Sequence, residues 1–236
     1  MAVVDQFIAA PFQLGTLTRF VLKIDIDDAI DICTPLLDVI EVHPKEISEF
    51  IEQLIAAEDA LGSEKVFWNL WQTIADTVLH ASWTQRLNER DSDRVKLLNT
   101  LFLGLGFWKE NIRHWQRLEG NASRIDRFFE ALPPIPVVFN SYSRFLYQIG
   151  DKSLPNSFAI ISRKLQQGDT MVLLSGKNTV FYLESILRRY VYSRPALLKS
   201  NTGIRDAVLQ LLDALVENGS SAAYRMRDDF VTPITP

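Results

Sequence analysis

The stretch that most restricts the fold of this chain is Ser63–Asn88, SEKVFWNLWQTIADTVLHASWTQRLN. Phe67, Leu70, Trp71, Ile74, Val78 and Ala81 recur at steps of three and four, which is one face of an α-helix. Trp68, Ala75, Leu79 and Trp83 form a second apolar line beside it. Lys65, Asn69, Asp76 and His80 lie in a narrow polar stripe. A helix that is apolar on two sides needs neighbours on two sides. Spanning about 39 Å if fully helical, it reads as an inner helix against which earlier and later helices pack.

The rest of the chain repeats the same period. Helices are expected from Phe12 to Ile24 and after the acidic run Asp25–Asp31, which suits the positive end of a helix dipole. Pro35 either kinks that second helix or opens another behind Thr34 as cap. Pro44–Leu61 follows, stopped by Gly62, with Ser63 able to cap the central helix. Asp91 or Ser92 starts a helix that the glycines of residues 104–106 break or bend. Phe107–Leu118 resumes until Gly120, and Asn121 or Ser123 caps Arg124–Leu132. The string LPPIP at 132–136 is a hard stop and the best candidate for an internal boundary. Val137–Ile149 and Pro155–Gln167 come next. Met171–Leu174 is compatible with a short helix or an isolated strand. Helices then run from Asn178 or Thr179 to about Tyr192, from Ile204 to Glu217 behind Thr202, and from Ala222 to Phe230; the terminal VTPITP cannot be helical.

These readings predict an all-α fold of roughly ten to twelve helices. Helix pairs recur roughly every 35 to 45 residues, the period of HEAT-like arrays. The expected architecture is an irregular α-solenoid or a two-layer helical bundle. Its halves are 1–132 and 137–236, the second packed on the first as one continuous domain.

Of the 236 residues, 47% are hydrophobic, enough for a substantial core. The apolar runs are too short and too often interrupted by charge to span a bilayer. The start, MAVVDQFIAAPFQLG, lacks the basic region and clean apolar run of a signal peptide. The single cysteine, Cys33, excludes an internal disulfide and sits among apolar neighbours, as a buried inert thiol would. A cytoplasmic chain is expected. Charge is uneven: Met1–Gly62 holds 3 basic and 12 acidic residues, net −9, and the remainder 22 basic and 17 acidic, net +5.

No motif completes a catalytic or cofactor site, and no cofactor or metal is expected. LLSGKNT at 173–179 is similar to a phosphate-binding loop. That loop requires glycine where Met171 stands and a magnesium-binding hydroxyl where Asn178 stands. Asp76 and His80 lie one turn apart and offer two metal ligands where zinc takes three or four. His43 and His114 have no ligand cluster near them in sequence. No Gly-x-Ser-x-Gly elbow exists. The basic residues Arg163, Lys164, Lys177, Arg188, Arg189, Arg194, Lys199 and Arg205 form the candidate surface for a partner or a phosphate. Residues 151–236 carry only 11 basic against 8 acidic side chains, too mild a balance for a dedicated DNA binder. Tyr182, Tyr190 and Tyr192 beside the arginines allow stacking on bases but suit a core equally well. The five tryptophans, Trp68, Trp71, Trp83, Trp108 and Trp115, fit helix crossings, with a ligand-binding cage as the alternative.

Residues 180–233 (VFYLESILRRYVYSRPALLKSNTGIRDAVLQLLDALVENGSSAAYRMRDDFVTP), and above all the phrase GSSAAYRMRDDFVTP, resemble the C-terminal end of large bacterial ATP-binding proteins of the STAND or NACHT type linked to antiphage defence. The resemblance covers about a quarter of the chain and includes no catalytic signature. It implies a C-terminal helical segment that senses a ligand or restrains an ATPase core, and it carries over no nucleotide-site residue.

The leading expectation is a non-enzymatic helical-repeat module that binds a protein partner or the remainder of a larger polypeptide. A nucleic-acid-binding module and a small-molecule-binding bundle are the alternatives. No membrane contact is expected.

Overall fold

The computed structural model describes residues 11–61, 66–88, 90–106, 112–149 and 154–231. Among them are thirteen α-helices, one 3₁₀ turn and no strand. The fold is all-α. The chain forms two compact units, Met1–His114 and Trp115–Pro236. The division falls ahead of the LPPIP string, which lies inside the second unit. Leu132 and Ile135 are buried there, so the string anchors the chain in that core.

The first unit contains α1 (Pro11–Val21), α2 (Ile26–Leu37), α3 (Pro44–Leu61), α4 (Val66–His80), the 3₁₀ turn Thr84–Arg86 and α5 (Ser92–Gly106). Asp25 caps α2, its carboxylate accepting from the Asp27 amide at 3.0 Å. Pro35 does not open a new helix behind a Thr34 cap. It lies in the last turn of α2, where little of the helix follows it, and Thr34 instead donates its hydroxyl to the Ile30 carbonyl at 2.8 Å. Burial seals the Cys33 thiol and pushes its pKa up to about 12.

The expected central helix is α4, shorter than its apolar pattern. Val66, Phe67, Leu70, Trp71, Ile74, Ala75 and Val78 are buried, and Asn69, Asp76 and His80 are exposed. α4 packs against α2 and α3. The central position is shared with α3, which meets α1, α4 and α5. Between α3 and α5, Thr100 donates to the Glu52 carboxylate at 3.1 Å, so the 3.0 Å contact of Ser48 with Thr100 is a bond donated by Ser48.

The start of α4 is held from outside the helix. Glu58 of α3 is fully buried, and its two carboxylate oxygens accept from the amides of Val66 at 2.5 Å and Phe67 at 3.1 Å. The first amides of a helix lack partners within it, and a carboxylate there also meets the favourable end of the dipole. The expected caps Gly62 and Ser63 lie outside the described residues, as do Lys65, Trp108 and residues 232–236; Val231, the first residue of the VTPITP string expected to be non-helical, is the last residue of the final helix.

The second unit contains α6 (Ile112–Ala131), whose first three residues precede the division, α7 (Pro136–Ile149), α8 (Leu154–Gln167), α9 (Thr170–Leu174), α10 (Thr179–Ser193), α11 (Pro195–Ser200), α12 (Thr202–Glu217) and α13 (Ser221–Val231). α6 runs unbroken through Gly120, where a stop was expected. One interior glycine costs only about 1 kcal/mol, less than the burial of Ile125, Phe128 and Phe129 returns. Met171–Leu174 falls in a short helix, with Asp169 accepting from the Met171 and Val172 amides at 2.9 and 3.2 Å. Asn201, one residue before the expected Thr202, caps α12. α7 packs on α10, α10 on α13, α13 on α12 and α12 on α8. α6 reaches this core through Phe129, whose ring stacks on Tyr142 of α7 at 3.8 Å.

Candidate partner-binding surface

Of the eight basic residues proposed from sequence, seven lie at or near the surface and Lys164 does not. Lys164 of α8 is only 3% exposed, and its ammonium donates to the carbonyls of Glu130, at 2.6 Å, and Leu132. It closes the end of α6 and is not available to a partner. Burial holds its pKa below the ordinary lysine range, opposed by the nearby Glu130. Arg163 is paired with the Glu130 carboxylate, and Arg205 lies 3.6 Å from Asp206. The Arg194 guanidinium sits 5.9 Å from the Tyr190 ring centroid. Lys177, in the turn before α10, and Lys199, on α11, are exposed. Gly176 in that same turn lies against Thr179 and Asn140, so the loop is filled by side chains.

Arg188 and Arg189 are different. They lie on α10 beside a cluster of aromatic rings that α7 and α10 build together. Tyr147 of α7 approaches Phe181 and Tyr182 of α10 at centroid distances of 5.6 and 5.4 Å, and those two rings are 5.7 Å apart. The Arg189 guanidinium stands 4.7 Å over the Tyr147 ring and donates to the Tyr147 carbonyl at 3.3 Å. At the other end of the pair, the Thr179 hydroxyl donates to the Asn140 side chain at 2.9 Å. The cluster is not sealed: Phe181 is 54% exposed, with Tyr147 and Tyr182 half-buried. On the α10 face one and two turns beyond Arg188 stand exposed Tyr192, bonded to Asp229 at 2.6 Å, and the end of the helix. Arg144 of α7 is also exposed, one turn before Tyr147.

Sequence reasoning singled out Tyr182, Arg188 and Arg189 but not Tyr147, Phe181 or Arg144. The available signal was Phe181, an aromatic side chain between two positions of the inward line Val180 and Leu183, where a polar residue is the ordinary occupant.

The other polar constellations are local. Asp76 and His80 lie on the open side of α4, and the His80 Nδ1 is 2.7 Å from the Asp76 carbonyl. They border a shallow groove of about 510 Å³ between α2 and α4, whose floor includes Leu37, Ile40 and Ala81 and whose rim includes Asp38 and Glu41. Among the described side chains no tryptophan lines it; Trp71 and Trp83 are buried elsewhere in the unit. Among the described residues no group of three or more His, Cys, Asp or Glu side chains is arranged to hold a metal ion.

A buried acid occupies the core of the second unit. Asp126 of α6 accepts from the Tyr142 hydroxyl at 2.6 Å and from the Ser157 hydroxyl at 2.9 Å. Burial raises its pKa, the two hydrogen bonds oppose that rise, and Glu130 adds to it. Burial, reinforced by Asp126, holds the Tyr142 phenol protonated well above its ordinary range. The cluster joins α6, α7 and α8 and is buried, so its work is to fix three helices.

No helix among the described residues is long and apolar enough to cross a membrane. No family model and no curated protein matches the sequence. The fold and its exposed aromatic surface are therefore the ground for a functional reading.

Proposed function

We propose that this chain is a non-enzymatic helical module that binds a protein partner, with the α7–α10 face as its contact surface. The observation that carries this reading is the open ring cluster of Tyr147, Phe181 and Tyr182 flanked by arginines. A half-exposed phenylalanine costs solubility and returns no core packing on its exposed side. Aromatic and arginine side chains are enriched where interfaces concentrate their binding energy. The resemblance of residues 180–233 to the ends of STAND and NACHT-type proteins extends the proposal: the module serves as a sensing or regulatory segment of a larger cytoplasmic polypeptide, its helices stacked in a HEAT-like manner, in bacterial antiviral defence.

The test is a photo-crosslinking amino acid placed at Phe181 and, separately, at the exposed Asp206 of α12, in cells producing the protein. A discrete protein adduct from position 181 and none from 206 supports the proposal. Adducts to nucleic acid, or no adduct from 181, overturn it.

A further inference from the structure

The α7–α10 surface has a definite charge as well as an apolar anchor. α7 has no carboxylate at all among its fourteen residues, and α10 has one, Glu184. That carboxylate accepts from the Ser220 hydroxyl and is already engaged. On α13, Asp229 is bonded to Tyr192. Against these stand exposed Arg144, Arg188 and Arg189.

The three cations differ in readiness. Arg189 is tied to the Tyr147 ring and carbonyl and to the Ser185 carbonyl. Arg144 and Arg188 are exposed on either side of the rings. Asn140 meets Thr179 and Tyr147 meets Phe181 and Tyr182, so contacts advance in the same sense along both helices. Arg144 then sits near the level of Phe181, and Arg188, seven residues on along the same face of α10, lies about 10.5 Å further along the axis.

Resting on the reading that this face binds protein, we propose that its partner is an acidic segment with one apolar side chain seated on Phe181 and Tyr147 and carboxylates placed to meet Arg144 and Arg188. The two arginines stand on neighbouring helices whose axes lie about 9 Å apart, so the axial offset of about 10.5 Å separates them by roughly 14 Å, the span of positions i and i+4 of an extended strand. A nucleic-acid strand suits the face less well. The rings are tilted at 37° to 62° to one another, rather than offering successive parallel platforms. Two ready cations also make a short track for a phosphate backbone, whose affinity grows with each phosphate neutralised.

The experiment selects binders to the immobilised full chain from a random twelve-residue displayed peptide library. Recovered peptides are then measured by fluorescence anisotropy against the wild-type chain, Phe181→Ser and Arg144→Glu/Arg188→Glu. All three positions are exposed, and circular dichroism confirms that each variant is folded. The expected result is enrichment of peptides with acidic residues flanking an aliphatic or aromatic one. Charge reversal is expected to weaken them roughly tenfold, the sum of two modest surface pairs turned repulsive, and Phe181→Ser to weaken them as well. Enriched neutral or basic peptides that require Phe181 overturn the acidic partner while leaving the protein-binding reading standing. Failure to enrich any peptide, or equal affinity for a dT12 oligonucleotide at physiological salt, overturns this proposal, and the crosslink from position 181 then decides the broader reading independently.

Discussion

The phenol of Tyr142 donates to the carboxylate of Asp126 at 2.6 Å, with Tyr142 wholly enclosed and Asp126 only 5% exposed. An acid in such a place is retained by the hydroxyls that meet it, and its cost depends on its protonation state. Asp126 has a raised pKa in the fold, so its favourable contribution is complete below the unfolded carboxyl value of about 3.9 and is lost as pH rises through the folded value. Asp126→Asn keeps an acceptor for Tyr142 and does not titrate. Urea unfolding should therefore find Asp126→Asn more favourable relative to wild type at pH 7 than at pH 4. Asp126→Ala strands two hydroxyls and should cost about 1–3 kcal/mol at both. An asparagine-to-wild-type difference that is the same at the two pH values would show that the carboxyl does not titrate between them.

Lys164 provides a separate prediction. Lys164→Met keeps the aliphatic stem but leaves the Glu130 and Leu132 carbonyls without their donor. Unfolding measurements should register a loss of about 1–3 kcal/mol. Arg163→Ala removes an exposed pair with the same Glu130 and should change stability by less than about 1 kcal/mol. Similar losses for both variants would mean that Lys164 acts through charge alone.

Glu58→Ala should destabilise the first unit by about 2 kcal/mol, because two amides at the start of α4 lose their acceptors. Glu58→Gln retains one acceptor oxygen and should lose less. Chemical denaturation followed at the tryptophans, two of which are buried in this unit, provides the readout. Equal losses for alanine and glutamine would indicate that the charge, and not the acceptors, carries the effect.

Two glycines should respond oppositely to alanine. A methyl at Gly104 would stand 2.5 Å from Phe67 and 2.7 Å from Ile55, both buried, so Gly104→Ala should cost about 1–3 kcal/mol despite its better helix propensity. Gly203, in the first turn of α12, would bring its methyl no closer than 3.6 Å to the Asn201 side chain. Gly203→Ala should stabilise by up to about 1 kcal/mol. Thermal melts of the two variants shifting in the same direction would contradict the packing at Gly104.

The helical class and the two-sided burial of α4 were legible because both depend on a local repeat. What was not legible depends on residues far apart in the chain. The Asp126 cluster joins positions separated by 16 and 31 residues, and a lone aspartate between Ile125 and Phe128 is weak notice of it. Lys164 reads as one more surface cation until the end of α6 is seen above it. The glycine at 120 reads as a stop because local propensity says so, while the packing of the following turns carries α6 on to Ala131. α11 went unread because Pro195 signals the end of one helix as strongly as the start of another. The basic set read as eight surface cations because sequence gives no notice of burial: Lys164 is withdrawn to the end of α6, and Arg189 lies over the Tyr147 ring.

The carbonyls at the end of α6 are met by a side chain 32 and 34 positions downstream. The punctuation of that helix is thus written in another sentence of the chain. Transplanting α6 with its own flanking residues into a different protein would carry over the rod but not its full stop, and the last turn would unravel wherever no ammonium came down to meet it.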